Sequence, residues 1–216
     1  RIQLADSNYK QAIVYYKQLN EHAPLTSQKI EGLHGQTLCY YHLKDFNNAL
    51  ILAQQLSAEE HADLSQKELG HLIAARSAIA IDSFALAEKE YTILSKGNST
   101  ESASEALYYL AYINYLSNDM DKTEKRIFDM LVNITHDYWL AKSYILLGDV
   151  YLAKGNSFQA KHTYMSIIEN YDGEDLKTIA TEKYNAIIAQ EQKNSQTNQN
   201  VGPEAFSRSQ IGNGLQ

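Results

Sequence analysis

Cysteine, proline and clustered positive charge are all scarce in this chain, and each shortage closes off a class of explanation. Among 216 residues there is one cysteine, Cys39, so no disulfide framework can form within the chain. The two prolines are Pro24 and Pro203, which leaves nearly the whole length between them without a strong helix breaker. Lys and Arg number 19 against 26 Asp and Glu, a net charge of -7, with no basic cluster to neutralise phosphates. Nucleic acid is excluded as a partner on that ground. The longest largely apolar stretch, Ala106 to Leu116, is interrupted by Asn114 and is well short of the roughly 20 residues a membrane span requires. Enzyme signatures are missing as well: there is no Walker loop, G-x-G-x-x-G, H-E-x-x-H, G-x-S-x-G or paired C-x-x-C. The expectation is a chain that is not an enzyme, with no catalytic residue, cofactor or metal.

What is abundant is Ala, Leu, Gln, Glu, Lys and Tyr, with apolar residues three and four apart, and no alternating β-branched run competes. An all-α fold follows. Turn signals at Lys44-Asp45, Ile81-Asp82-Ser83, Lys96-Gly97-Asn98, Ser117-Asn118-Asp119 and Lys154-Gly155-Asn156 divide the helices into pairs. The pairs repeat. A small residue deep in the first helix stands at Thr37, Ala75, Ala111 and Gly148, and one in the second helix at Ala12, Ala49, Ala87, Thr123 and Ala160. The second helix opens on Tyr9, Phe46, Phe84 and Met120, with Ser157-Phe158 shifted by one, and continues through Tyr16, Ala53, Tyr91, Ile127 and Tyr164. Steps from Ala12 to Ala160 are 37, 38, 36 and 37 residues. Small residues at crossing points let two helix backbones approach while Tyr, Phe, Leu and Ile fill the surrounding volume.

The run Leu147-Gly148-Asp149-Val150-Tyr151, then Gly155-Asn156, then Ala160, Tyr164 and Ile167 resembles the tetratricopeptide repeat, the TPR, in spacing as well as in residue type. The resemblance implies a right-handed α–α superhelix. Residues 1–24 read as the second helix of a truncated leading repeat, 25–172 as the array, 173–192 as a capping helix and 193–216 as a polar, low-complexity tail. Because Arg1 is not an initiator methionine, the chain is expected to begin inside a longer array, with upstream repeats as neighbours and an apolar face near Tyr9, Ile13 and Tyr16. In the capping helix Ile179, Tyr184, Ile187 and Ile188 are expected inward. Disorder is the default for the Asn-, Gln-, Ser- and Gly-rich tail, with Val201, Phe206 and Ile211 as candidate anchors onto a neighbouring surface.

His34 and His42 share a helix face with Glu31, but an eight-residue spacing is not that of a chelating pair, and the group reads as a polar stripe. Asn98-Ser99-Thr100 and Asn133-Ile134-Thr135 match the glycosylation sequon at chance level. Tyr108, Tyr112 and Tyr115 form a stripe that, in the repeat frame, lines the concave groove, as do Glu31, His34, Leu38 and Tyr41. Two readings stand for these rings: contact with a partner peptide, or packing between neighbouring first helices. The same pair of readings applies to Trp139. Repeat domains that clamp a chaperone's terminal carboxylate use Lys, Asn and Arg at such positions. Here the groove holds Glu31, His34, Leu72, Tyr108 and Ile145, with Arg76 as its single positive charge, so that subfamily is argued against.

The stretch Tyr138 to Tyr151, with Ser157-Phe158-Gln159-Ala160-Lys161 and Ile167-Ile168-Glu169-Asn170-Tyr171, resembles the C-terminal repeat of large Bacteroidetes envelope TPR lipoproteins, among them those of the type IX secretion and gliding machinery. That resemblance implies a lipid-tethered, non-enzymatic assembly factor of the periplasm and outer membrane with protein partners in a larger complex. Alternatives are an adaptor for peptidoglycan or outer-membrane assembly, or a regulatory domain of an enzyme whose catalytic part lies upstream, which allows a cytoplasmic location.

Overall fold

The computed structural model describes residues 6–97 and 101–200. The tail anchors Val201, Phe206 and Ile211 and the sequon at Asn98 lie outside the described residues. Among the described residues there are ten helices and no strand. They are α1 (Asp6–His22), α2 (Thr26–His42), α3 (Phe46–Ala58), α4 (Leu64–Ala80), α5 (Phe84–Leu94), α6 (Glu101–Leu116), α7 (Met120–Leu131), α8 (Asp137–Ala153), α9 (Ser157–Asn170) and α10 (Glu174–Asn200). Each helix packs on the next along the chain, α2 also touches α4, and α6 also touches α8. The even-numbered helices therefore form one layer, α4 and α6 being joined through Arg76 and Glu105, and in the tetratricopeptide frame this layer is the inner one. Among the described residues no helix is long and apolar enough to cross a membrane.

Each pair turns in the same way. Lys44, Asp82, Asn118 and Gly155 take left-handed backbone conformations, with φ of 59°, 57°, 58° and 75°. At each, two reverse hydrogen bonds close the first helix: Lys44 N–H donates to the Tyr41 carbonyl and Asp45 N–H to that of Tyr40, both at 3.0 Å, and the other three turns repeat the pattern. The next residue caps the second helix, and Asp45, Asp119 and Asn156 each accept from a backbone N–H three residues on. Three of the four turns thus hold a side chain where glycine is cheaper. Lys44→Gly and Asp82→Gly are each expected to raise stability by about 0.5–1 kcal/mol in thermal denaturation, and Gly155→Ala to lower it by a similar amount.

The crossing points are as small as the repeat frame requires. Thr37, Ala49, Ala75, Ala87, Ala111, Thr123 and Ala160 have no exposed surface. Glycine is demanded where backbones meet: a Cβ on Gly70 would sit 2.7 Å from the Ser57 nitrogen and 2.8 Å from the Ala53 carbonyl oxygen. On Gly148 it would enter the ring of Tyr164, which is wholly buried and donates its hydroxyl to Asp149 Oδ1 at 2.6 Å. Charges then bind successive pairs together. Arg126 reaches Glu88 at 3.5 Å, and Lys154 reaches Asp121 and Glu124, both at 2.6 Å.

The ends differ from the sequence expectation in four ways. Tyr9, Ile13 and Tyr16 are half-buried, Tyr9 stacking on His42 at 5.1 Å, and the exposed apolar residues of α1 are Val14 and Tyr15 instead. In α10 the buried residues are Leu176, Ala180 and Ile187, an i, i+4, i+11 series, Tyr184 packs half-buried against the same core and Ile188 is half-buried, while Ile179 lies one position off that face and is exposed. Lys183, also on that face, pairs with Asp149 at 2.7 Å, and Lys161 of α9 with Glu191 at 2.7 Å. In addition, α10 continues to Asn200, past the boundary that composition places at residue 193. Its Gln, Glu and Lys residues are good helix formers, so polarity here does not stop the helix. Phe158, expected to open the last second helix as a packed residue, is exposed.

Candidate functional site

The inner layer places Tyr41 on α2, Arg76 on α4, Glu105 and Tyr109 on α6, and Tyr138 and Lys142 on α8 along one face. Its centre is an ion pair. Arg76 Nε donates to Glu105 Oε1 at 2.7 Å and its Nη2 binds Oε2, a bidentate contact between two successive pairs. Glu105 is 2 % exposed and Arg76 34 %, so the carboxylate forms the floor and the guanidinium opens to solvent. The Tyr91 hydroxyl donates to Glu105 Oε1 at 3.4 Å from below. Hydrogen bonding to Glu105 holds the Arg76 guanidinium firmly charged, more than offsetting its burial.

Beside the pair lies a cluster of rings. Tyr109 stacks on Tyr91 at 5.0 Å and 4° between planes, Trp139 is 5.6 Å from Tyr108 and 6.0 Å from Tyr109, and Tyr138 meets Trp139 edge-on at 5.0 Å. Lys142 projects its ammonium into this cluster, 4.9 Å from the Tyr108 and Trp139 ring centres and 5.6 Å from those of Tyr109 and Tyr138. Burial lowers the Lys142 pKa, Glu105 acting against that and Arg76 with it. Burial, then Glu105, pushes the Tyr109 phenol up to about 12, so it remains a neutral hydroxyl at any physiological pH.

The sequence-predicted residues divide accordingly. Arg76 sits on this face but is already engaged by Glu105, and it is not the face's single cation, because Lys142 shares it. Tyr108, Tyr112 and Tyr115 do stack in series, at 5.9 and 6.3 Å, yet Tyr108 is buried in the core along with Ile145, and Tyr112 and Tyr115 are half-buried. Tyr41 is half-buried near Arg76 and Tyr109 and meets Phe46 at 5.9 Å. Glu31 is exposed near Tyr16, and His34 is half-buried. No group of His, Cys, Asp or Glu suited to a metal is present among the described residues. Sequence reasoning missed Glu105, Tyr109, Tyr138 and Lys142. A Glu just ahead of the apolar run of α6 and the single Lys of α8 were the available signals, since neither is buried without a partner.

Nothing here pairs a nucleophile with a base. The face offers a guanidinium edge, phenol hydroxyls and flat aromatic surface, which are groups for holding a peptide.

Comparison with known proteins agrees on the architecture. Residues 137–173 match the tetratricopeptide repeat model TPR_6. Among solved structures, the chain is similar to TTC0263, a thermophilic TPR protein in Thermus thermophilus, with a TM-score of 0.55 and 15% identity over 82% of this chain and 91% of that one. It is likewise similar to BtubC (BKLC) from P. vanneervenii, with a TM-score of 0.58 and 12% identity over 98% and 97%. No curated protein sequence matches. The fold is an all-helical, TPR-like solenoid, and no catalytic family is indicated.

Proposed function

We infer that the chain is a protein-interaction scaffold that holds an extended segment of a partner along the inner face of α2, α4, α6 and α8. The observation that carries this reading is the open edge of Arg76 beside the ring cluster around Lys142, a polar and aromatic surface with no catalytic pair. An acidic side chain of the partner would meet the Lys142 ammonium, and the Tyr109 and Tyr41 hydroxyls would meet its backbone. The resemblance of Tyr138 to Tyr171 to the closing repeat of Bacteroidetes envelope lipoproteins supports a place in the periplasm or at the outer membrane, as an assembly factor of the type IX secretion and gliding machinery.

The test is a pull-down of the tagged full-length protein from cell envelopes, with lysine-directed cross-linking and mass spectrometry. Envelope-machinery subunits cross-linked at Lys142, and recovered in lower amount without cross-linker from Lys142→Gln with an unchanged melting profile, are the expected result. Cross-links confined to the odd-numbered helices would overturn the inner-face assignment. Recovery of peptidoglycan or outer-membrane assembly factors would move the chain to that machinery, and recovery of cytosolic enzymes alone would overturn the envelope reading.

A further inference from the structure

A second concavity, separate from the inner-face ion pair though Tyr138 borders both, lies between α8, α9 and the connection from α9 to α10. Its volume is about 430 Å³. Tyr138 and Tyr144 of α8 line it together with Tyr171, the residue that closes α9, and the apolar part of its lining includes the buried Ala141 and Ile167. The polar part holds Ser166, Asn170 and two carboxylates. Asp137 at the start of α8 and Asp172 in the α9–α10 connection border the cavity, and Asp175 in the first turn of α10 acts on both Tyr138 and Tyr171. Among the described residues none of these three carboxylates has an ion pair.

The pair before the last lacks this arrangement. A shift upstream by the 37 residues that separate Thr123 from Ala160 puts Ile134 in the place of Tyr171 and Glu101 in that of Tyr138, and Ile134 is core. Gly173 completes the wall: a Cβ there would lie 2.6 Å from the Tyr171 hydroxyl oxygen and 2.7 Å from its Cζ, so glycine is what lets the ring lie against the connection.

Tyrosine faces and unpaired carboxylates around an open volume are the complement of a flat, delocalised cation carried on an apolar stem. An ammonium alone would leave most of the cavity empty. We propose that this cavity is a second docking site, beyond the inner-face reading, which takes an arginine side chain and its apolar neighbour from an extended segment of a partner protein. The guanidinium lies against the tyrosine rings with its edge toward Asp137 and Asp172, and the neighbouring side chain rests near Ala141 and Ile167.

The test is an NMR titration of the full chain with acetyl-Leu-Arg-Leu-amide, against the same peptide carrying citrulline, which keeps the shape and loses the charge. The expected result is saturable shifts centred on Ala141, Tyr171 and Gly173, with affinity roughly tenfold lower for citrulline and for the Asp137→Asn, Asp172→Asn double variant. Gly173→Ala, which displaces the Tyr171 ring, weakens binding as well. If the double variant fails to fold, the citrulline comparison on the unaltered chain decides. Equal binding of the two peptides, shifts on α2 to α6, or no saturable shift would overturn the proposal. So would concentration-dependent self-association mapped to the same residues, which would make a second copy the occupant. None of these outcomes alters the cross-links expected at Lys142.

Discussion

Arg76→Ala is expected to lower stability by about 3 kcal/mol or more, because breaking a buried pair leaves an uncompensated charge. Glu105 is 2 % exposed, and its remaining contact, the Tyr91 hydroxyl at 3.4 Å, is a weak replacement for a bidentate guanidinium. The cost is that of stranding the carboxylate, not the net worth of the pair. Arg76→Met combined with Glu105→Leu is therefore expected to recover most of the loss, since well-packed apolar replacements of buried pairs are often neutral or stabilising. Chemical denaturation of the single and double variants checks this. A double variant as unstable as Arg76→Ala would mean that the two helices are held by the geometry of the pair itself.

Gly148→Leu is the second large effect, with a loss of about 3 kcal/mol from overpacking. The first atom added at Gly148 already enters the Tyr164 ring, and that ring cannot withdraw: it is wholly buried, and Asp149, which its hydroxyl holds, is also bound by Lys183 of α10. Ala160→Leu, facing the same joint with no exposed surface, is expected to lose about 1–3 kcal/mol by the same mechanism. Calorimetry of both variants checks the assignment, and unchanged melting would contradict the observed packing. A milder series, Gly148→Ala and Gly148→Ser, should order by side-chain volume.

The architecture is legible in the sequence because its signals are local and repeated. A turn, a cap and a small residue recur every 36 to 38 positions, and each copy corroborates the others. The inner face is legible only in outline. Tyr108 and Tyr109 are adjacent in sequence, and periodicity alone does not say which of two neighbours turns toward the core. The answer depends on how far α8 is rotated and on Trp139 taking the space beside both. Arg76 reads as free because its partner lies 29 residues away in the next pair, a distance no helical spacing rule covers. Ile179 reads as inward for a related reason: α10 packs on α8 and α9 alone among the described helices, so its buried arc is narrower than the apolar residues in its sequence suggest.

The charges that join successive pairs are unequal, and this makes the array a spring of uneven stiffness. The joint between the α4–α5 and α6–α7 pairs carries both the Glu105 carboxylate, buried beneath the Arg76 guanidinium and out of reach of mobile ions, and the more open Arg126–Glu88 pair, whereas the next joint rests on Lys154 with the exposed Asp121 and with Glu124. Added salt therefore weakens the contact at Lys154 more than the one at Arg76. Under load, such a molecule would yield at the Lys154 joint before the one at Arg76.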